Sequence, residues 1–165
     1  MRRLILVLLL AVVIVPSYCY AQNRRGPSTA EERQRAVLVA KNFEENPLAA
    51  ANKDDREWLT LWLIEVPDIT VSICGATLTW EKNYKYSGEL MAAELGSMAK
   101  SAIEHPENTD KQAIGMAAME AALNAYGKIL EANPKAHSKQ MDEMVKLRAS
   151  GGLKDHLSKE WSKCK

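Results

Sequence analysis

Three cysteines and three histidines are the residues of this chain best suited to nucleophilic, redox or metal chemistry. Their spacing limits which of these is open. His105, His137 and His156 stand 32 and 19 residues apart, in or beside polar segments. No His-x-x-x-His or Cys-x-x-Cys pair occurs, so no metal-ligand spacing is present and surface histidine is the reading. Cys74 lies in Ser72-Ile73-Cys74-Gly75, which matches no cysteine-hydrolase signature. A thiolate nucleophile needs an electropositive, accessible setting. The neighbours of Cys74 are apolar and point to burial. No Gly-rich phosphate loop, nucleophile elbow or haem-attachment motif appears, so no cofactor is expected. Asp54-Asp55-Arg56-Glu57 reads as a charged helix start. The chain is therefore expected to be non-catalytic, with an enzyme of dispersed site as the remaining alternative.

The cysteines have a simpler use. Arg2 and Arg3 precede an uninterrupted apolar run of 12 residues, Leu4 to Val15, which Pro16 and Ser17 break. Cys19 and Ala21 then occupy the −3 and −1 positions of a cleavage site. That is the layout of a secretory signal peptide over residues 1–21. The run is shorter than the roughly 20 apolar residues a membrane span needs. Tyr18 before Cys19 argues against a lipid-modified cysteine. Cleavage after Ala21 and export to the periplasm or beyond are expected, with an uncleaved anchor as the alternative. Cys74 and Cys164 then remain, and in an oxidising compartment such a pair is most simply a disulfide. The other possibility is a buried thiol at 74 and an exposed one at 164.

Arg2 and Arg3 are two of the 22 basic residues, which leaves 20 against 21 acidic residues after cleavage, a formal charge of −1. Such balance gives no electrostatic reason to expect nucleic acid or an anionic membrane as partner. The remaining length suffices for one domain with a core. No further apolar run is long enough to cross a membrane.

The elements that would position these residues read as helices. Residues 22–29 are a polar lead-in, and residues 30–165 form a single domain. Ser28 or Thr29 can cap a first helix with Ala36, Val37, Ala40 and Phe43 inward and a stop at Asn46-Pro47. Asp54 or Asp55 starts a second helix. Trp58, Leu59, Trp62, Leu63 and Val66 give it a broad apolar face, which Leu61 and Ile64 widen. It is expected to be a central core helix ending at Pro67. Ser87 opens a third helix carrying Leu90, Met91, Glu94, Leu95, Met98 and Ile103 to about His105. Thr109 is the expected cap of an alanine-rich helix that Asn133-Pro134 ends. Ser138 starts a shorter helix, Gly151-Gly152 breaks it, and a last short helix bears Leu153, Leu157 and Trp161. The fold class is all-α, a compact bundle of about six or seven short-to-medium helices, with stacked antiparallel pairs as the alternative arrangement.

Residues 67–80, PDITVSICGATLTW, fit less simply. Ile69, Val71 and Ile73 alternate with hydroxyl residues, as in a half-buried strand, but no second strand offers a partner. At helical spacing Ile69, Ile73, Ala76 and Trp80 share one face, and Val71, Cys74 and Leu78 another. A helix buried on two sides, capped by Asp68, is the preferred expectation.

Two binding features suggest themselves. Tyr84-Lys85-Tyr86 would suit a binding rim if exposed, although one packed and one plain surface tyrosine is the blander reading. Trp58, Trp62, Trp80, Met91 and Met98 would line an apolar pocket between helices, the methionines filling the core or adapting to a ligand. The stretch ALNAYGKILEANP resembles the second helix of a tetratricopeptide repeat, with Ala122, Tyr126 and Pro134 at the family's spacing. Ile129 stands where a small residue is usual. The resemblance covers half a repeat and implies helix-hairpin packing. A non-catalytic module that contacts another exported or envelope protein is the leading functional expectation. A carrier of an apolar small molecule is the alternative.

Overall fold

The computed structural model describes residues 25–78 and 80–164. The expected signal peptide, 1–21, lies outside the described residues. Six α-helices and one 3-10 turn are present among them: α1 (Ala30–Glu45), α2 (Asn52–Glu65), α3 (Ser87–Glu104), α4 (Lys111–Ala132), α5 (Lys139–Ser150) and α6 (Leu153–Trp161). The all-α expectation holds.

The helix ends follow local chemistry. Thr29 and Glu32 form a reciprocal capping box at the start of α1. α2 begins earlier than Asp54 because Asn52 is buried and closes the preceding turn. Its side-chain amide donates to the carbonyl oxygens of Asn46 at 2.8 Å and Pro47 at 3.1 Å. Asp110, not Thr109, caps α4, accepting from the amides of Gln112 and Ala113. Ser138 caps α5, and Gly151 ends it with a left-handed φ of 77° that favours glycine.

α3 lies at the centre, packed chiefly against α1 and α4. Small side chains permit the approach: Ala93, Ala99, Ala122 and Ala125 are wholly buried. Gly96 marks the close approach of α3 to α1. A Cβ there would stand 2.9 Å from the Ala40 Cα, which only a shift of α1 could relieve. Gly96→Ala is expected to cost about 1–3 kcal/mol of stability by overpacking, read from denaturant midpoints. A loss below about 0.5 kcal/mol would mean that the α1–α3 seam has room.

The expectation that α2 is a central helix is corrected. α2 is a flank. Leu59 and Trp62 are buried, but Leu61 and Ile64 are 51% and 76% exposed. Trp58 stacks on Trp62 with ring centroids 5.6 Å apart, and the Arg35 guanidinium lies 4.0 Å from the Trp58 ring centroid.

The helix expected over 68–80 is also corrected. From Asp68 to Cys74 the chain is irregular, and a 3-10 turn, Gly75–Thr77, follows. No strand occurs among the described residues. Asp68 does not cap a helix. Its carboxylate accepts from the Ser28 amide at 2.8 Å, the Ser28 hydroxyl at 2.7 Å and Arg33 at 2.7 Å, which ties Pro67-Asp68 to the start of α1. These bonds, the Ser28 amide foremost, hold the Asp68 carboxyl down at about 2. β-branched residues favour extended backbone. Ile69, Cys74 and Thr77 turn inward, while Thr70, Ser72 and Ile73 face water. Cys74 and Cys164 are joined as a disulfide with Cα atoms 5.7 Å apart. That bond brings the end of the chain to this segment.

Candidate functional site

α2 and α3 diverge over Phe43 and leave an open apolar groove. α2 contributes Glu57, Thr60 and Leu61 to one wall. α3 contributes Gly88, Met91, Ala92 and Leu95 to the other, at helical spacing. The groove encloses about 380 Å³. Ile64 lies one turn beyond Leu61, so the exposed apolar surface continues along α2. An ion pair between Arg56 and Glu89, 3.0 Å, crosses from one helix to the other at the rim. The residues lining the groove include no cysteine, histidine or serine. Its one hydroxyl, on Thr60, already donates to the Arg56 carbonyl at 2.8 Å. The arrangement can take up apolar side chains and offers no evident nucleophile.

The residues expected to line one pocket are divided by the structure. Met91 lines this groove. Met98 faces a separate cavity of about 290 Å³ between residues 68–72, the end of α3 and Trp161. Trp58, Trp62 and Trp80 line neither. A further depression of about 500 Å³ between α4 and α6 mixes Met116, Leu157 and Trp161 with charged Asp110, Glu120 and Lys154.

Tyr84 and Tyr86 are half-buried and Lys85 is exposed. The Tyr84 hydroxyl donates to the Ala136 carbonyl at 2.8 Å, and the Tyr86 hydroxyl accepts from the Asn133 side chain at 3.0 Å. Both tyrosines thus hold the turn between α4 and α5. Burial pushes the Tyr84 hydroxyl well above the ordinary phenol range. The same turn holds a polar chain. The Tyr126 hydroxyl donates to Asp142 at 2.7 Å and accepts from the Ser138 amide at 2.9 Å. His137 lies 3.0 Å from the Asp142 carboxylate. The Ser138 hydroxyl donates to Glu81 at 2.6 Å, and that bond foremost keeps the Glu81 carboxyl below its usual range. A His–Asp–Tyr chain resembles a proton relay, but its polar atoms are committed to closing the turn. His105 pairs at 3.7 Å with Glu107 on the surface. No cluster of three metal-ligating side chains occurs among the described residues.

Glu94 was legible as a position and not as an environment. It falls on the Leu90–Met98 stripe at i+4 spacing, which marks an inward site. The structure leaves its side chain 4% exposed, and burial alone pushes its carboxyl up to about 8. Compared with known protein families, curated proteins and solved structures, the chain matches none.

Proposed function

We propose that this protein is an exported, non-catalytic module that binds a protein or peptide segment in the groove between α2 and α3. The observation that carries this reading is the continuity of exposed Leu61 and Ile64 with the apolar walls at Met91 and Leu95. Exposed apolar surface rimmed by polar groups is what recognition of an amphipathic segment needs. A methionine in the wall adapts to different side chains. The Cys74–Cys164 disulfide supports an oxidising compartment, the periplasm or the exterior. No described helix is long and apolar enough to cross a membrane. An open groove suits a segment of a larger partner better than a free apolar molecule, most of whose surface a binding site must cover.

Met91→Glu places a charge in the wall. It is expected to weaken partner capture from the exported fraction at least about tenfold, since burying an unpaired charge costs several kcal/mol. The melting temperature should move by less than about 3 °C, as expected of a half-exposed site. Equal capture by both proteins would refute the reading. A retained small molecule in native mass spectrometry would favour the carrier instead.

A further inference from the structure

We propose that residues 69–73 act as an edge strand whose partner comes from outside the fold. An extended, acid-bearing segment of another polypeptide pairs its backbone with Thr70, Val71 and Ser72 and fills the cavity beside Trp161. This cavity shares no lining residue with the α2–α3 groove, and the inference does not rest on that groove.

Unpaired backbone is the first reason. Residues 69–74 run without a turn or bend, and Cys74 is extended, with φ −101° and ψ 111°. Among the described residues, no backbone N–H from Ile69 to Ile73 donates a hydrogen bond and no carbonyl of these residues accepts one. Thr70, Ser72 and Ile73 are exposed. Ile69, Thr70, Val71 and Ile73 are β-branched, which suits a strand. A row of free donors and acceptors on such a segment is a template for strand addition.

Pre-organisation is the second. The segment keeps this form without a ladder because both ends are tied. Asp68 is bonded to the Ser28 hydroxyl and to Arg33 at 2.7 Å each, and Cys74 is bonded to Cys164. An incoming strand meets a backbone already set, so little ordering entropy opposes pairing.

The cavity supplies the partner's character. Thr70, Val71 and Ser72 line it, and Met98, Ile114 and Trp161 give it apolar surface for a side chain. Its volume of about 290 Å³ is the share of about ten waters. That suits a short stretch of extended chain and excludes a helix, which is about 10 Å across. Three ionisable side chains line it. Asp68 pairs with Arg33 and His105 with Glu107, while Lys111 has no partner among the described residues. An acidic side chain on the incoming segment meets that ammonium. A second copy fits less well. Its own residues 69–73 are tied at both ends in the same way and cannot enter a cavity of this size.

The test is a titration of the full chain, disulfide intact, with the peptide acetyl-Thr-Val-Thr-Val-Glu-amide, followed by amide NMR. The amides of Thr70, Val71 and Ser72 should move to lower field, as on entering a ladder, with a dissociation constant on the order of 100 μM. N-methylating both valines, or both threonines, removes the donors on one edge of the peptide or the other. One of the two changes should weaken binding at least about tenfold and the other less than about threefold. Lys111→Glu should weaken binding about fivefold, and a peptide with Lys in place of its Glu should regain it. Unmoved amides at 70–72 with about 1 mM peptide would overturn the inference. So would equal effects of the two methylations, which mean that no ladder forms. Shifts confined to Leu61 and Met91 would place the peptide in the groove, and shifts at 70–72 that grow with protein concentration alone would mean a second copy. Either result overturns this site and leaves the groove reading intact.

Discussion

Replacing Cys164 with serine is expected to lower the unfolding free energy by about 4–5 kcal/mol. The bond closes a loop between residues 90 apart in sequence, and chain entropy alone gives that magnitude for such a loop. Packing at the pinned end explains why the effect should reach the fold. α6 has nine residues, too few to persist alone. It docks through Leu153, Leu157 and Trp161, whose ring fills the space over Gly115. A Cβ on Gly115 would stand 2.4 Å from that ring. Release of Cys164 frees the residues just beyond Trp161 and removes the cross-link that holds them to Cys74, which is 1% exposed. A domain of this size has about 5–15 kcal/mol in total. Urea unfolding of the wild type with and without a reductant, beside Cys164→Ser, reads the effect. Identical midpoints in all three would show that the bond joins segments already held by packing.

Glu94→Gln is expected to stabilise the protein near neutral pH, which is uncommon for a core substitution. Burial raises the folded carboxyl from 4.5 to about 8. Below pH 4.5 both folded and unfolded chains hold the proton, and the site has no effect on pH dependence. Between pH 4.5 and 8 the unfolded chain loses the proton while the folded chain keeps it. Stability therefore falls with rising pH, by about 1.4 kcal/mol per unit at most. Above pH 8 both forms are ionised and the loss levels off. At pH 7 the accumulated penalty is about 3 kcal/mol. Glutamine does not titrate, though its buried amide retains part of the desolvation cost, so a gain of about 2 kcal/mol is expected. Asp68 works in the opposite direction. Its depressed carboxyl favours the fold above pH 3.8, and that contribution is lost as pH falls through about 2. The two windows do not overlap. Denaturant unfolding of wild type and Glu94→Gln at pH 5, 6 and 7.5 is the check. Parallel curves for the two proteins would place a compensating partner beside Glu94.

Most helices were legible because their ends are written locally. Thr29 with Glu32, Ser138, Asn133-Pro134 and Gly151 act within a few residues. The alanines of α4 likewise announce a close neighbour. Residues 68–78 were not legible. Alternating and helical periods both fit Ile69, Val71, Ile73 and Cys74, and the deciding interactions are distant. Asp68 meets partners 35 and 40 residues away, and Cys74 meets one 90 residues away. The groove was legible in part. Met91 stood out as a residue suited to binding. Leu61 and Ile64 read as a widening of a buried face, because apolar periodicity marks a surface without saying which neighbour covers it. In the structure α1 and α3 cover the Leu59–Trp62 side of α2 and leave Leu61 and Ile64 to solvent. The tyrosines at 84 and 86 show the converse, since a polar surrounding hid their role in closing a turn.

Site-directed photo-crosslinking most directly tests whether the α2–α3 groove is where this protein meets its partner. A photoreactive residue is placed at Leu61, and separately at Lys135 in the exposed turn before α5, in chains made by the producing cell. The groove predicts protein adducts of defined mass from position 61, lost on Met91→Glu, and none of those masses from position 135. Adducts of equal pattern from both positions, or from position 135 alone, would contradict it.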